Sequence, residues 1–571
     1  MSLLVKTRAA VIAAIVALTI QPALAFDRAH AAPPPVIGRA LTAGAVAAPD
    51  RYGALAAEEI LKKGGNAVDA AAATAFALAV TYPEAGNLGG GGFMTLVVDG
   101  KPYFLDYRET APAAATVGMF LDAAGEPVAA RSQYGSLAVG VPGTVRGMVM
   151  AHKRFGRLPW SEVLAPAIRY ARDGFLVTPQ LIGIVEGSQG PFVGVTNFQA
   201  LFGGLRAGEL FRQPALAATL ERIAKGGDTE FYEGQTADLM VAQMTRGGEK
   251  GLITKNDLAA YRAVWREPLQ ADWRGYRVIT APPPSSGGIA LVQLLLMKQD
   301  AAPLFAGVVL NSPRYMHLVS EMEKRVFADR AEYLGDPDVW NVPVSALIDP
   351  AYVARRAAQI DPVKPSVTTA VKPGLEKPQT THFSIVDRWG NAVSNTYTLN
   401  GWFGSGVVVE GAGFLLNDEM DDFSAKPGAP NMFGVVGGDA NAIAPGKRPL
   451  SSMTPTILTR DGRVAMVIGT PGGSRIFTSV FQVLADVYDL HLSLAAAQKQ
   501  PRFHHQLLPE NVIFSEPYAP FSPALTQELG KLGYTVEAQD FNGDIEAIQV
   551  IDGRPIPEAD PRARGVAMVV K

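Results

Sequence analysis

The chain opens its ordered pattern with two helices in succession. Asp50 to Lys63 spaces its apolar residues at helical intervals and stops at Gly64-Gly65. Asn66 is placed to cap the next segment, Ala67 to Val80, which is almost wholly apolar with Asp69 in its first turn, so a buried helix is predicted there. The period then falls to two. Phe93 to Val98 and Tyr103 to Tyr107 predict a hairpin turned at Asp99-Gly100, and its second strand delivers Arg108 at its end. Four glycines, Gly89 to Gly92, precede the hairpin. They lead into a strand and no Gly-Lys-Ser/Thr follows, so a phosphate loop is rejected in favour of close backbone approach or positive φ. Val141 to Lys255 is helix-rich, with Pro159, Pro179 and Pro214 near segment starts. A loop from Ala281 to Gly288 leads into a helix over Ile289 to Lys298. There is no internal repeat.

A Lys- and Pro-rich linker from Lys364 to Pro378 ends at Gln379-Thr380-Thr381-His382, and beyond it the pattern becomes β-rich. Thr381 to Asp387 and Ala392 to Leu399 predict strands about Arg388-Trp389-Gly390-Asn391. Paired as a hairpin, they bring Thr380 close to Thr398 and Asn400. Cleavage between Gln379 and Thr380 would give an N-terminal residue with both a hydroxyl nucleophile and an α-amine of pKa roughly 8, able to take the hydroxyl proton. Further on, a strand over Val464 to Ile468 runs into Gly469-Thr470-Pro471-Gly472-Gly473-Ser474-Arg475 and a helix. Such a pair of glycines is either an ordinary tight turn or a source of backbone N–H groups for an oxyanion.

Composition narrows the chemistry. The 571 residues are 48% hydrophobic and 18% charged with a formal net charge of −3, which supports a large core and gives nucleic acid no electrostatic footprint. No cysteine is present, so disulfides, thiolate nucleophiles and Cys-based metal sites are excluded. Lys6 and Arg8, the apolar run Ala9 to Ile20 and Ala23-Leu24-Ala25 predict a signal peptide over 1–25, hence a periplasmic or secreted protein with no membrane association after its removal. The acidic stretch Asn417 to Asp422 lacks EF-hand spacing, no HExxH occurs among the seven histidines, and no Gly-x-Ser-x-Gly elbow exists. No metal or cofactor is expected. His504-His505 reads as structural packing, and Arg108 alone as either a substrate-carboxylate clamp or a salt-bridge partner of Glu109.

Taken together, Gln379-Thr380-Thr381-His382-Phe383-Ser384, Thr398-Leu399-Asn400, Glu419-Met420-Asp421-Asp422-Phe423-Ser424, Arg448 to Met453 and Thr470 to Arg475 resemble the small subunit of γ-glutamyltranspeptidases. Gly64 to Ala70, Asn87 to Phe93, Asp106 to Glu109 and Tyr134 to Gly143 resemble the large subunit, so the likeness runs from about Ala40 to Arg562. The resemblance implies an α+β fold, the four-layer αββα sandwich of N-terminal-nucleophile hydrolases. It also implies self-cleavage into a large chain, 26–379, and a small chain, 380–571, that stay associated as a heterodimer in one intertwined domain. Substrates would be glutathione and other γ-glutamyl compounds, with water, amino acids or peptides as acceptors. Carried onto this sequence, Thr380 is the nucleophile, Thr398 positions it, and Gly472 and Gly473 bind the oxyanion. Arg108, with Ser451 and Ser452, grips the α-carboxylate, while Asn400, Glu419 and Asp422 receive the α-ammonium on the opposite side of a small pocket.

Two other classes fit parts of this pattern. A cephalosporin or glutaryl acylase would share the nucleophile and oxyanion site, but its acyl group has no ammonium to meet Glu419 and Asp422. An exported binding protein for γ-glutamyl peptides would never cleave itself. Within the resemblance, position 419 is Glu where some bacterial relatives have Gln, and Phe433 stands where lid loops often carry Tyr. Phe433→Tyr is therefore expected to change the hydrolysis-to-transfer ratio by only a few fold. An acceptor titration measures this, and loss of either activity would contradict it.

Overall fold

The computed structural model describes residues 39–367, 380–426, 428, 431–432, 437–539 and 543–571. The predicted signal peptide, the Pro-rich leader, most of the linker, Gln379 and Phe433 lie outside the described residues. Two antiparallel sheets form the centre. The first has seven strands, β1 (Gly44–Ala48), β2 (Gly91–Val98), β3 (Lys101–Tyr107), β4 (Val264–Arg266), β7 (Thr381–Val386), β8 (Ala392–Thr398) and β13 (Val566–Val570), in the spatial order β13-β1-β7-β8-β2-β3-β4. The second has six, β5 (Leu269–Trp273), β6 (Tyr276–Thr280), β9 (Thr456–Arg460), β10 (Arg463–Gly469), β11 (Glu546–Ile551) and β12 (Arg554–Ala559), in the order β12-β11-β10-β9-β6-β5. Strands from before and after Thr380 thus interleave within the first sheet and share the second.

Helices α1 (Arg51–Lys62) and α2 (Ala67–Thr81) cover the outer face of the first sheet, where Phe383, Ile385, Val393 and Tyr397 join their core. Helices α3 (Gly287–Asp300), α4 (Pro313–Tyr333) and α5 (Arg475–Tyr488) cover the second, against Val278, Leu458, Met466 and Ile468. A thinner apolar layer, with Ala45, Ile279, Val386, Ile457 and Ile548, joins the two sheets. The result is the αββα sandwich. Among the described residues no helix is long and apolar enough to cross a membrane.

The helix-stop and hairpin signals act as their chemistry dictates. Asn66 caps α2 by accepting from the Val68 and Asp69 N–H groups, and Asp69 returns a bond to the Asn66 N–H at 2.9 Å. A further orphan donor of this helix end, the Ala67 N–H, is taken at 3.0 Å by Asp387 in the β7–β8 turn. Helix and β7–β8 hairpin are thereby tied together. Asp99 and Gly100 both have positive φ, as a tight hairpin turn requires.

Of the two roles open to the glycine run, close approach is the one realised, since none of Gly89 to Gly92 has positive φ. A Cβ on Gly90 would lie 2.0 Å from the Thr398 carbonyl oxygen, and one on Gly89 2.2 Å from that of Leu415. Asn87 donates to the same Thr398 oxygen at 2.9 Å and accepts from the Gly90 N–H at 3.0 Å. The loop is thus fitted against the backbone of Thr398. Gly90→Ala must push rigid backbone and is expected to cost about 1–3 kcal/mol or more. Gly183→Ala, on an exposed helix with open space around it, is expected to be neutral or to stabilise by up to about 1 kcal/mol. Denaturant midpoints of the two variants check the contrast.

Candidate active site

The β7–β8 pairing sets the geometry. Thr381 lies opposite Tyr397, so the next step of the register sets Thr380 opposite Thr398. Both are nearly buried, 4% and 3% exposed. The Thr398 hydroxyl accepts from the Asn400 N–H at 2.9 Å, and Asn400, in the left-handed region at φ 78°, directs its amide to the Asp418 carbonyl at 3.1 Å. At the same end of the sandwich lie the residue after β3, the segment before β9 and the turn after β10.

These parts converge on one narrow cleft. Of the expected site residues, Arg108, Thr380, Thr398, Asn400, Glu419, Asp422, Ser451, Ser452 and Gly473 all line it. Gly472 does not reach the lining, and Gln379 lies outside the described residues. Gly472 and Gly473 take φ of 142° and 56°, conformations that favour glycine, and their carbonyls accept the Arg475 and Ile476 N–H groups at 3.0 and 3.2 Å as α5 begins.

The charged corner differs from the sequence expectation. The resemblance sets Arg108 and the carboxylates of Glu419 and Asp422 on opposite sides of the pocket. They are in direct contact, with Nη1 of Arg108 donating to Glu419 Oε1 and Nη2 to Asp422 Oδ2. Arg108 has no exposed surface, and a guanidinium withdrawn from water requires anionic partners. Its Nε and Nη2 also donate to the carbonyls of Pro449 and Leu450 at 3.2 and 3.3 Å, and Glu109 stands 3.7 Å away. The salt-bridge reading of Arg108 is thus realised, with Glu419 and Asp422 as nearer partners than Glu109. Burial alone would lower its pKa, but Glu419, Asp422 and Glu109 outweigh that and hold it firmly charged. Burial in turn raises the carboxyls of Glu419 and Asp422 against the pull of Arg108, and pushes Glu109 up to about 8.

Three further polar residues line the cleft. Arg330 reaches in from α4, donating through Nε to the Ser286 hydroxyl at 3.0 Å and through Nη2 to that of Ser452 at 3.5 Å. Ser286 in turn donates to the Ser451 carbonyl at 2.7 Å, so the two-serine segment is held from the side of α4. Asn431 donates to Asp422 Oδ1 at 3.1 Å, and Ser474 follows Gly473.

A family model described as Gamma-glutamyltranspeptidase matches residues 53–570. The glutathione hydrolase proenzyme of Pseudomonas aeruginosa is 63% identical over 533 residues, covering 93% of this chain and 95% of that protein. A solved chain of the gamma-glutamyltranspeptidase from Pseudomonas nitroreducens is 60% identical, covers 57% of this chain and 97% of its own, and superposes with a TM-score of 0.56. A cephalosporin acylase from Bacillus halodurans is 29% identical, with a TM-score of 0.79 over 95% of this chain and 99% of its own. The fold is that of an N-terminal-nucleophile hydrolase. Within that class, the chain belongs to the γ-glutamyltranspeptidase family.

His382, two residues after Thr380, is fully buried between the sheets and bonded to the hydroxyls of Thr396 and Ser384 at 2.8 and 3.1 Å. Burial lowers its pKa to about 3. Between that value and its ordinary 6.5 the unfolded chain binds a proton the native one refuses, so stability is complete above about pH 6.5 and is lost as pH falls. Relative to His382→Gln, the wild type is expected to lose about 1.4 kcal/mol per pH unit between roughly pH 5.5 and 4. Denaturant unfolding of both proteins across that range measures the difference.

Proposed function

We propose that Thr380, freed by self-cleavage after Gln379, is the nucleophile of this enzyme and that its own α-amine is the base. The protein is a γ-glutamyltransferase and glutathione hydrolase that matures from a proenzyme. The observation that carries the assignment of residues is the convergence of Thr380, Gly473 and the Arg108–Glu419–Asp422 cluster on a single cleft. Thr380 Oγ1 attacks the γ-carbonyl carbon while the amine takes its proton and passes it to the leaving amine. The Gly473 N–H, with that of Gly472 behind it, stabilises the tetrahedral oxyanion. Water or an amino-group acceptor then attacks the γ-glutamyl ester and regenerates the threonine.

The direct pairing of Arg108 gives substrate capture the form of an exchange. The α-carboxylate takes over Arg108, helped by Ser451 and Ser452. Glu419 and Asp422 are left to the α-ammonium with Asn400, so no buried charge ends without a partner. Once a substrate carboxylate engages Arg108, the carboxyls of Glu419 and Asp422 lose their cationic partner, which favours a head group that brings its own positive charge. The large chain 26–379 and small chain 380–571 remain a heterodimer, because strands of both interleave in the first sheet. The charged and apolar leader over 1–25 supports export to the periplasm or beyond.

The likeness to the Bacillus halodurans acylase motivates the competing reading, deacylation of a glutaryl side chain. Purified enzyme is expected to release aniline from a γ-glutamyl anilide, faster with a dipeptide acceptor, and at least about 100-fold faster than from the glutaryl analogue. Asp422→Ala is expected to lower kcat/KM for the γ-glutamyl donor at least about 30-fold, equivalent to about 2 kcal/mol. Thr380→Ala is expected to run as one uncut band on a denaturing gel where the wild type gives two. Preference for the glutaryl anilide by a fully cleaved enzyme would overturn the assignment.

A further inference from the structure

The adjacent histidines of Pro501-Arg502-Phe503-His504-His505, read from sequence as packing, take separate directions. His505 bonds through Nδ1 to the Val512 carbonyl at 2.6 Å. His504, in the short strand Phe503–His504, turns toward the cleft instead. Its Nε2 lies 2.9 Å from Oε1 of Gln506, the same oxygen accepts from the Ser474 hydroxyl at 3.0 Å, and Ser474 Oγ is 3.4 Å from His504 Nε2. The three side chains close a ring of contacts. At the other edge of the imidazole, Nδ1 meets the Thr478 hydroxyl at 3.0 Å, one turn further along α5. The strand is itself fastened to α5, since Gln482 donates to the Phe503 carbonyl at 2.7 Å and accepts its N–H at 3.2 Å.

Ser474 is the residue directly after Gly473, and it lines the cleft. We infer that His504 and Gln506 are positioning residues for the oxyanion turn, clamping Ser474 so that the Gly473 N–H stays aimed at the place where the oxyanion forms. Two successive glycines determine their own conformation less than any other pair, so the direction of their N–H groups has to be imposed from outside. The helix bonds to the carbonyls of Gly472 and Gly473 fix the side of the turn facing α5. The clamp on Ser474 supplies the next fixed point. Burial and then the charge of Arg475 hold the His504 pKa well below its ordinary value, so the ring stays neutral and serves as a hydrogen-bonded strut. With Gln506 Oε1 as acceptor, the proton sits on Nε2, and Nδ1 is left to face the Thr478 hydroxyl.

The inference rests on the assignment of Gly473 to the oxyanion, and the two can fail separately. kcat and KM are measured per self-cleaved enzyme on the γ-glutamyl anilide for Ser474→Ala, His504→Asn and the double variant. Loss of a whole oxyanion donor costs about 100- to 1000-fold, and a misaimed donor should cost less, so each single change is expected to lower kcat about 10- to 100-fold. Formation and breakdown of the acyl-enzyme both pass through the oxyanion, so KM should stay within about threefold. The double variant should be no worse than the weaker single by more than about threefold, because both changes release one clamp. Ser474→Ala removes a single oxygen, so its kinetics decide the question if His504→Asn fails to fold. A kcat for Ser474→Ala within twofold of wild type, a rise in KM at constant kcat, or fully multiplicative effects would overturn the clamp. Failure of the cleaved wild type to turn over the γ-glutamyl anilide would instead defeat the parent assignment.

Discussion

The pairing of Thr381–Val386 with Gly44–Ala48 on one side and Ala392–Thr398 on the other places the strand that follows Thr380 near the centre of a seven-stranded sheet. Everything else at the site is referred to that strand. Its register sets Thr398 against Thr380, Asn87 and Gly90 hold the Thr398 carbonyl, and the turn beyond it supplies Asp387 to the end of α2. A central strand is among the least deformable parts of a fold, since ladder bonds on both edges must break before it shifts. A nucleophile that must also be the product of a chain break gains most from such a support, for its own backbone is tethered on one side only.

The second constraint is electrostatic. Arg108 could not be buried without Glu419 and Asp422, nor could they be buried without it. That mutual dependence concentrates charge where the cleft closes, and it makes the corner responsive to a zwitterion while an apolar acyl chain has nothing to exchange. Arg330 extends the same logic from the second helical layer, because its guanidinium reaches the two-serine segment through Ser286 and Ser452.

Much of this was legible in the sequence because the signals are local. Asn66 with Asp69, Asp99-Gly100 and the proline-led helix starts at Pro179 and Pro214 name their own positions within a residue or two. The motifs named most of the residues that the structure gathers around one cleft, and Arg108 stands at a strand end as the hairpin implied. Arg330 was not among those named. Its helix carries Glu321, Glu323, Lys324, Arg325, Asp329 and Arg330, a run that reads as a solvated face, yet all six are buried. Their partners are distant in sequence, as when Lys324 and Arg325 donate to the carbonyls of Ser366 and Gln359. The direct contact between Arg108 and Glu419 spans 311 residues and has no local trace either. The glycine run left two roles open, and only the neighbouring backbone of Leu415 and Thr398 decides between them.

The interleaving of strands in the first sheet has one more consequence. While the chain is whole, β1 and β7 find each other as parts of one molecule, and folding is independent of concentration. After the break at Thr380 the same contacts join two separate polypeptides with no disulfide to link them. An unfolded mature molecule must then recover by a bimolecular encounter, so at low concentration its loss is in effect permanent. Maturation turns a protein that can fold repeatedly into one assembled once, and its lifetime is set by how slowly that central sheet opens.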